Sequence, residues 1–362
     1  MNFNSFFLRS FRILLFPFSL LYGFAIIVRN WLYNKKIVRS AEFNLPVICV
    51  GNLVMGGTGK SPMVECLIEL LSNKFLVATI SRGYKRKTKG YALAGENTTA
   101  LEIGDEPMQF HTKFSEIAVA VGEERVVAIP QLLHDRPDTQ VIILDDAFQH
   151  RAIKAGLNIL LTECNNLFTH DFFFPTGDLR DQKFSAKRAD VIVVTKCPAN
   201  FPDEEKQKTI KQLSQYKTNN IFFTTTEYQT PYHIITKNKK TISVKDEVLL
   251  VYGIANPLPL KDYISENTAA YEELSYSDHH IFSIDDLKDI GKKFEKIKAS
   301  NKFILTTEKD AVRLIKFKEQ LANLPLYVLP VRHKFLFDEE EAFNKLVVDF
   351  IAGFKKETIN ET

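Results

Sequence analysis

Residues 50–62 read Val50-Gly51-Asn52-Leu53-Val54-Met55-Gly56-Gly57-Thr58-Gly59-Lys60-Ser61-Pro62. An apolar run of strand length, residues 45–50, precedes this stretch, and apolar residues with helical spacing follow it over 63–71. Glycines between a strand and a helix let backbone N–H groups turn towards phosphate oxygens, and the helix N-terminus adds a partial positive charge. The stretch therefore predicts a phosphate loop that binds a nucleoside triphosphate.

The residues of this loop divide into backbone donors and reactive side chains. Lys60 supplies a positive charge for the phosphates, and the Ser61 hydroxyl is suited to bind Mg²⁺. The standard spacing has a glycine five residues before Gly59, where this chain has Val54. We expect the nucleotide to contact Val54, Met55, Gly56, Gly57, Thr58, Gly59, Lys60 and Ser61.

The composition is that of an ordinary globular protein. The chain has 362 residues, 45% hydrophobic and 25% charged, which is enough for two domains. Its net charge is +3, but residues 1–40 contain six basic residues and no acidic residue, so the remainder is net negative. This distribution argues against a nucleic-acid partner and favours contact with an anionic membrane surface. No protein partner is evident from the sequence.

The four cysteines predict neither disulfides nor a zinc site. They form no Cys-x-x-Cys pair, and two of them lie in apolar runs beside the phosphate loop. We interpret them as reduced core residues of a cytosolic protein.

An apolar segment near the N-terminus, residues 13–28, lies between Arg12 and Arg29. As a helix it would reach only ~24 Å, short of a hydrocarbon core of roughly 30 Å. No small-residue cleavage site follows, so a signal peptide is not indicated. An interfacial anchor is favoured over a spanning helix or a helix buried in the protein, and Trp31 and Tyr33 suit the headgroup level.

Further apolar runs of strand length recur, with helical segments between them, at 75–80, 116–121, 141–144, 157–161 and 191–194. Continuous hydrophobic strands are typical of a mostly parallel sheet covered by helices on both faces. Polar residues follow several of these strands, as in Ser81-Arg82-Gly83-Tyr84. Ligands of such sheets bind where the carboxyl ends of the strands converge, so these residues are expected near the phosphate loop.

A second, smaller α/β unit is predicted beyond the sheet. Segments 232–236 and 241–244 form a candidate hairpin that links the two units. Predicted strands follow at 248–252, 302–306 and 326–329, with helices near 284–299, 308–321 and 338–353. The resulting division is an anchor at 1–40, a phosphate-loop domain at 41–226, a hairpin linker at 227–247 and a C-terminal α/β domain at 248–362.

Three acidic or histidine clusters carry candidate chemistry. Asp145 and Asp146 end a hydrophobic strand, where a carboxylate of a phosphate-loop enzyme binds Mg²⁺. Asp105 and Glu106 open a helix, either as acids that complement its dipole or as a proton acceptor and metal ligand near the γ-phosphate. In Asp278-His279-His280, an imidazole paired with a carboxylate could act as a base; a structural role stays open, and no third metal ligand is apparent.

The base of the nucleotide is predicted to be adenine. Guanine specificity usually needs an Asn-Lys-x-Asp run after a late strand, and the corresponding place reads Thr195-Lys196-Cys197-Pro198. The acid that would bind the guanine amino group is missing, which favours ATP.

Taken together, these motifs resemble the tetraacyldisaccharide 4′-kinase family, the lipid A 4′-kinases of Gram-negative bacteria. The resemblance extends over nearly the full chain and rests on the apolar N-terminus and on Gly51-Asn52 to Ser61-Pro62, Ser81-Arg82-Gly83-Tyr84, Gly104-Asp105-Glu106-Pro107, Asp145-Asp146, Gln149-His150-Arg151, Asp278-His279-His280 and Thr307-Glu308-Lys309-Asp310-Ala311-Val312. It implies ATP, Mg²⁺, a membrane-bound tetraacylated glucosamine disaccharide 1-phosphate as acceptor, and lipid IV-A as product.

The resemblance also implies roles for individual residues. Asp105 and His279 fall on the family's catalytic pair, and we add Lys60, Asp145 and Asp146 to the predicted catalytic set. Predicted metal ligands are Ser61, Asp145, Asp146 and Glu106; predicted substrate contacts are Arg82, Gln149, His150 and Arg180. The expected location is the cytoplasmic face of the bacterial inner membrane. Two alternatives stay open, a membrane-tethered ATPase that acts as a switch and a small-molecule kinase whose N-terminal helix is only structural.

Overall fold

The computed structural model describes residues 12–216 and 220–354. Its strands are β1 (Val47–Asn52), β2 (Val77–Ser81), β3 (Ala92–Leu93), β4 (Ala118–Val121), β5 (Val141–Asp145), β6 (Leu157–Glu163), β7 (Val191–Thr195), β8 (Ile221–Tyr228), β9 (Tyr232–His233), β10 (Glu247–Tyr252), β11 (Ala270–Ser275), β12 (Lys302–Thr307), β13 (Leu326–Leu329) and β14 (Val331–Phe335).

The α-helices of the same residues are α1 (Phe16–Asn34), α2 (Lys60–Leu71), α3 (Ala100–Ile103), α4 (Asp105–Lys113), α5 (Arg125–Asp135), α6 (Asp203–Leu213), α7 (Leu258–Asn267), α8 (Ile284–Lys296), α9 (Glu308–Leu314), α10 (Lys318–Leu321) and α11 (Glu340–Ala352). Short 3-10 helices occur at Ile13–Leu15, Phe168–His170, Lys183–Arg188, Ser214–Tyr216 and Ile315–Phe317.

The larger sheet, within the described residues, has nine strands in the order β14-β8-β7-β6-β1-β5-β2-β4-β3. Its neighbours pair in parallel except for β3 and β14, which form antiparallel edges. Strands β1, β2, β5 and β7 are buried at every position because hydrophobic cores cover both faces of the sheet. The predicted phosphate-loop α/β fold is confirmed.

A smaller sheet follows, with five strands in the described part of the chain in the order β11-β10-β12-β13-β9. It is parallel except for β9, and two further hydrophobic clusters cover its faces. The predicted second α/β unit is therefore present.

The predicted hairpin at 232–236 and 241–244 is wrong. Strand β9 pairs antiparallel with β13 of the smaller sheet. Its local pairing is with residues 238–240, where Tyr232 bridges Lys239 and the His233 N–H donates to the carbonyl of Asn238 at 2.8 Å. Ile234, which follows β9, is buried in the smaller unit's core and donates its backbone N–H to the carbonyl of Leu326 at 2.9 Å. The local turn is thus shorter than predicted, β9 lies between this turn and β13, and residues 241–244 form no strand.

The C-terminal segment also departs from the prediction that 248–362 form one unit. After β13 the chain passes Pro330 and enters β14, which pairs with β8 of the larger sheet. Helix α11 then packs Phe343, Val347 and Ile351 into the core of that sheet. These apolar residues lie on one face of the helix at positions i, i+4 and i+8, so the described part of 331–354 belongs with the larger sheet.

Helix α1 lies along the larger unit through a polar stripe. Ser19, Gly23 and Asn30 are its buried residues. Ser19 donates to the hydroxyl of Thr176 at 2.7 Å, Asn30 donates to Asp181 at 2.6 Å, and the Cα of Gly23 contacts the Phe173 ring so closely that a Cβ would lie 2.6 Å from it. The side that faces the protein is therefore small and polar.

The opposite side of α1 is apolar and exposed. Leu21 and Phe24 are 69% and 68% exposed. By length and composition, Ile13–Asn34 is the one segment of the described residues that could cross a membrane. The exposure excludes the alternative of a helix buried inside the protein.

Candidate active site

The phosphate loop lies between β1 and α2, as the sequence predicts. Gly59 caps the start of α2 with φ 84°, a conformation that favours glycine, and places Lys60 and Ser61 in the first turn. A Cβ built at Gly56 or Gly57 would meet nothing within 4 Å, so both glycines face open space. The loop thus exposes backbone without side chains at a helix N-terminus, an arrangement that suits phosphate oxygens.

Val54 occupies the position where the standard phosphate loop has a glycine. Here the chain forms a short antiparallel bridge to another segment. Val54 is buried and pairs with Leu179, and the Met55 N–H donates to the carbonyl of Asp178 at 2.7 Å. The Asn52 amide donates to the hydroxyl of Thr58 at 2.9 Å and ties the two ends of the loop together. Val54 can therefore contact a nucleotide only through its backbone.

His333 of β14 holds the phosphate loop through a hydrogen bond to its backbone, a role that the sequence did not predict. Its Nε2 donates to the carbonyl of Gly59 at 2.8 Å, while Nδ1 accepts from the Thr224 hydroxyl at 3.0 Å. Burial lowers the pKa of His333 to about 4, partly offset by the bond to Gly59, so the ring is neutral near pH 7. No local signal marks this residue, because the contact spans 274 positions.

The strand-end acids occupy different environments. Asp145 is buried: Ser81 donates to one carboxylate oxygen at 3.3 Å, and the other, Oδ1, has no partner within the described residues. Burial first, and then Asp146, raises the pKa of Asp145 to about 6. Asp146 has φ 48° and accepts two bonds from Arg180, at 2.7 and 3.1 Å. Burial opposes its charge, but Lys60 and Arg180 prevail and lower its pKa.

The donor set fits Mg²⁺ bound together with a nucleotide. The free oxygen of Asp145 and the hydroxyl of Ser61 are the hard oxygen ligands that this ion prefers. No group of three His, Cys, Asp or Glu side chains in the described residues could hold a metal alone, so phosphate oxygens and water would complete the shell. Asp146 is engaged by Arg180, and Glu106 by Lys309 at 3.0 Å. Asp145 is therefore the better placed acid.

Asp105 and His279 meet across the two units. The His279 Nδ1 lies 2.7 Å from the Asp105 carboxylate, and Arg313 donates to the same carboxylate oxygen at 2.7 Å. Burial opposes the charge of Asp105, but the bonds from His279 and Arg313 outweigh it and lower its pKa to about 2. The predicted pair is thus assembled, with Arg313 as a third member.

Helix α9 makes the contacts that hold the units in this arrangement. Glu308 accepts from Lys113 at 2.9 Å, Lys309 donates to Glu106 at 3.0 Å, and Arg313 bonds Asp105. Arg313 also donates to Asp310 at 3.1 Å, which fixes its guanidinium on the helix. Sequence reasoning missed this role of Arg313, although the residue follows Asp310 by three positions and so lies on the same helix face.

A cavity of about 730 Å³ opens beside the pair. Asp105, His279 and Arg313 line it together with apolar side chains such as Leu101 and Met108. It is large enough for a ligand of small-molecule size.

The four predicted substrate contacts differ in whether their side chains already have hydrogen-bond partners in the protein. Arg82 is exposed, and His150 is half-buried with Nε2 unpartnered within the described residues. Burial, then the charges of Arg125, Arg29 and Arg82, lower the pKa of His150. The Gln149 side chain donates to the carbonyl of Asn52 at 2.5 Å, and Arg180 is held by Asp146.

Comparisons with known proteins agree with this geometry. The family model LpxK, Tetraacyldisaccharide-1-P 4′-kinase, matches residues 11–352. A tetraacyldisaccharide 4′-kinase of Flavobacterium johnsoniae is 44% identical, with 94% of this chain and 97% of the relative aligned. The one from Bacteroides thetaiotaomicron is 40% identical over 93% and 92%.

A solved structure has the same architecture over nearly the whole chain. The crystal structure of LpxK from Aquifex aeolicus in complex with ATP superposes with a TM-score of 0.74 at 27% identity, covering 94% of this chain and 99% of that one. Family model, relatives and fold lead to one conclusion: the chain belongs to the tetraacyldisaccharide-1-phosphate 4′-kinase family.

Proposed function

We propose that this tetraacyldisaccharide 4′-kinase transfers the γ-phosphoryl group of ATP to the 4′-hydroxyl of a membrane-bound tetraacylated glucosamine disaccharide 1-phosphate, which gives lipid IV-A. The observation that carries the assignment of roles is the Asp105–His279 contact of 2.7 Å, made between the two units beside a ligand-sized cavity. A phosphate loop alone would serve any nucleotide hydrolase, whereas a positioned base is what an acceptor hydroxyl needs.

ATP would bind with its phosphates on the backbone of residues 54–59. Lys60, whose ammonium lies 3.8 Å from Asp146 and 3.4 Å from the carbonyl of Gly56, would swing onto the β- and γ-phosphates. Ser61 and Asp145 would hold Mg²⁺, which supplies neutralisation of phosphate charge. Arg180 would keep Asp146 oriented through its two hydrogen bonds.

Proton transfer is assigned to the Asp105–His279 pair. A carboxylate whose pKa is about 2 is a weak proton acceptor but a strong partner for an imidazole N–H. Asp105 would therefore accept the hydrogen bond from Nδ1 of His279, which leaves the Nε2 lone pair to take the proton of the 4′-hydroxyl. As the new O–P bond forms, the bond between the γ-phosphorus and its bridging oxygen breaks, and ADP leaves.

The lipid acceptor would reach the site from a membrane surface. The apolar face of α1 is exposed, and its polar stripe joins the site: Arg29 donates to the carbonyl of Gln149 at 2.7 Å. Arg82 and the His150 imidazole, whose Nε2 has no partner within the described residues, would then contact the sugar or its 1-phosphate, while Gln149 would have to release the carbonyl of Asn52 first. A basic N-terminal segment suits the anionic cytoplasmic leaflet, where ATP is available.

The test is label transfer from γ-labelled ATP, with Mg²⁺, to the detergent-dispersed acceptor. We expect a labelled lipid whose phosphate lies at the 4′ position, and loss of labelling in the Asp105→Ala variant. Release of labelled phosphate without any labelled lipid would instead identify a tethered ATPase. Equal labelling of a small soluble sugar would support the small-molecule kinase alternative.

A further inference from the structure

A second apolar surface lies beside α1. Three phenylalanines in the loop that runs along this helix are exposed: Phe172 at 60%, Phe174 at 40% and Phe184 at 65%. We call the segment 172–187, whose last residues belong to the 3-10 helix Lys183–Arg188, the aromatic loop. Large apolar side chains clustered in water usually mark a surface that another phase or molecule covers.

The aromatic loop packs on the protein-facing side of α1 and reaches the border of the helix's exposed apolar face at Tyr22. The Phe174 ring packs edge-on against Tyr22 of the helix, with centroids 6.2 Å apart. The Tyr22 hydroxyl donates to the carbonyl of Arg180, and Asn30 donates to Asp181, so the loop is fixed to the helix at two levels. Because Leu21 and Phe24, close to Tyr22 in the helix, are exposed, a bilayer that covers this border of α1 would lie next to the Phe174 ring.

Lysines are interleaved with the exposed rings. The ammonium of Lys183 lies 6.0 Å from the centre of the Phe172 ring and that of Lys187 lies 4.9 Å from the Phe184 ring. Lys183 donates one hydrogen bond to the carbonyl of Thr169. Long basic side chains beside aromatic rings are typical of the lipid headgroup level, where the stem lies in the apolar layer and the charge reaches anionic headgroups.

No acid in the described part of the chain forms an ion pair with Lys183 or Lys187, although the charge of Asp171 acts on Lys183 from a longer distance. Asp178 forms an ion pair with Arg12 at 2.7 Å. Asp171 accepts hydrogen bonds from the backbone N–H groups of Phe172 and Asp178 inside the loop. Charge complementarity therefore selects an anionic partner.

We propose that the aromatic loop is a second membrane-binding element, which inserts Phe172, Phe174 and Phe184 into an anionic bilayer beside α1 while Lys183 and Lys187 contact the headgroups. This inference rests on the proposed function, since it deepens the assignment of a membrane surface. Two separate insertion elements fix how the protein is rotated on the bilayer, because a single helix leaves rotation about its own axis free.

The experiment measures co-sedimentation of the purified full chain with vesicles of phosphatidylethanolamine and phosphatidylglycerol. We expect the double variant Phe172→Ser, Phe184→Ser to bind roughly tenfold more weakly than the unaltered chain. The matched control, Val244→Ser with Leu258→Ser, removes two equally exposed apolar side chains from residues outside this surface and should bind normally. Lys183→Gln with Lys187→Gln should lower the preference for anionic over phosphatidylcholine vesicles.

Unchanged vesicle binding by the phenylalanine variant would overturn the proposal. So would a sedimentation-velocity result in which that variant turns an oligomer into a monomer without weaker vesicle binding, since the surface would then join copies of the chain. The helix variant Leu21→Ser with Phe24→Ser distinguishes membrane binding through α1 from membrane binding through the aromatic loop. If it binds weakly while the loop variant binds normally, the loop inference alone fails; if both bind normally, the membrane assignment itself fails. Label transfer to detergent-dispersed lipid should persist in both variants.

Discussion

The phosphate loop and the Asp105–His279 pair are both polar sites beside helix N-termini or loops, yet they are built in different ways. The loop comes from one strand, one turn and one helix within residues 47–71. The pair joins residues 174 positions apart and exists only because α9 of the smaller unit docks on α4. Nucleotide binding is thus mainly a property of local sequence, whereas the acceptor chemistry depends on how the two units meet.

Because the catalytic pair forms only where the two units meet, the contact between the units can control when ATP reacts. Closing the base over the phosphate loop only when the units meet would limit hydrolysis of ATP by water. Separate changes at the loop and at the interface should therefore have different kinetic signatures.

The largest effect is expected at the loop itself. Lys60→Ala removes a charge that would stabilise the transferred phosphoryl group, so kcat at saturating ATP and Mg²⁺ should fall roughly 1000-fold, or about 4 kcal/mol. Lys74→Ala, in the exposed turn that follows α2, is the control and should leave kcat unchanged. Near-normal turnover of Lys60→Ala would remove the loop from the chemistry.

A change at His333 tests whether the phosphate loop depends on a residue far away in the sequence. Its pKa is lowered from 6.5 to about 4 in the fold, so the unfolded chain binds more protons between these values. The free energy of unfolding should therefore fall as pH drops through this window, by up to about 3 kcal/mol from this residue.

Urea unfolding at several pH values measures this effect. His333→Gln should be less stable at pH 7 and less sensitive to acid than the unaltered chain, with Lys334→Gln on the same strand as control. Parallel stability curves for His333→Gln and the unaltered chain would show that the buried imidazole is not the group that titrates.

A change at Arg313 tests the contact between the two units, where this residue binds Asp105. Arg313→Ala should lower kcat roughly tenfold to 100-fold, since Asp105 would lose a donor that orients it, with little change in the KM for ATP. The pKa of Asp105 should rise, so the variant should lose more activity at acid pH than at neutral pH. Arg332→Ala, an exposed arginine paired with Glu227, is the control. A uniform loss at all pH values would contradict the proposed link to Asp105.

The two regions also differ in what the sequence predicts. The glycines, Lys60 and Ser61 are contiguous, and their strand and helix are recognisable from hydrophobic spacing alone. The support by Leu179 and His333 is not predictable in this way, because both contacts depend on chain segments brought together by the fold. Asp105 and His279 were predicted as a pair through the family resemblance, not from their spacing.

The errors have the same physical origin. The hairpin was predicted from local alternation, but the chain turns back after the two residues of β9, and the pairing of β9 with the distant strand β13 is not visible in local sequence. Helix α11 was assigned by chain order, whereas burial of its apolar face decides where it packs. Similarly, local sequence could not show that α9 supplies three charged contacts to the facing unit.

The double-mutant cycle of Asp105 and His279 tests the central claim most directly, that one catalytic unit is assembled from two halves of the chain. Single-turnover rates should be measured with saturating ATP for Asp105→Ala, His279→Ala and the double variant. If the residues act together, the three losses in rate should be similar, with ATP affinity nearly unchanged. If the two single losses multiply in the double variant, Asp105 and His279 act independently and the account of a shared site is contradicted.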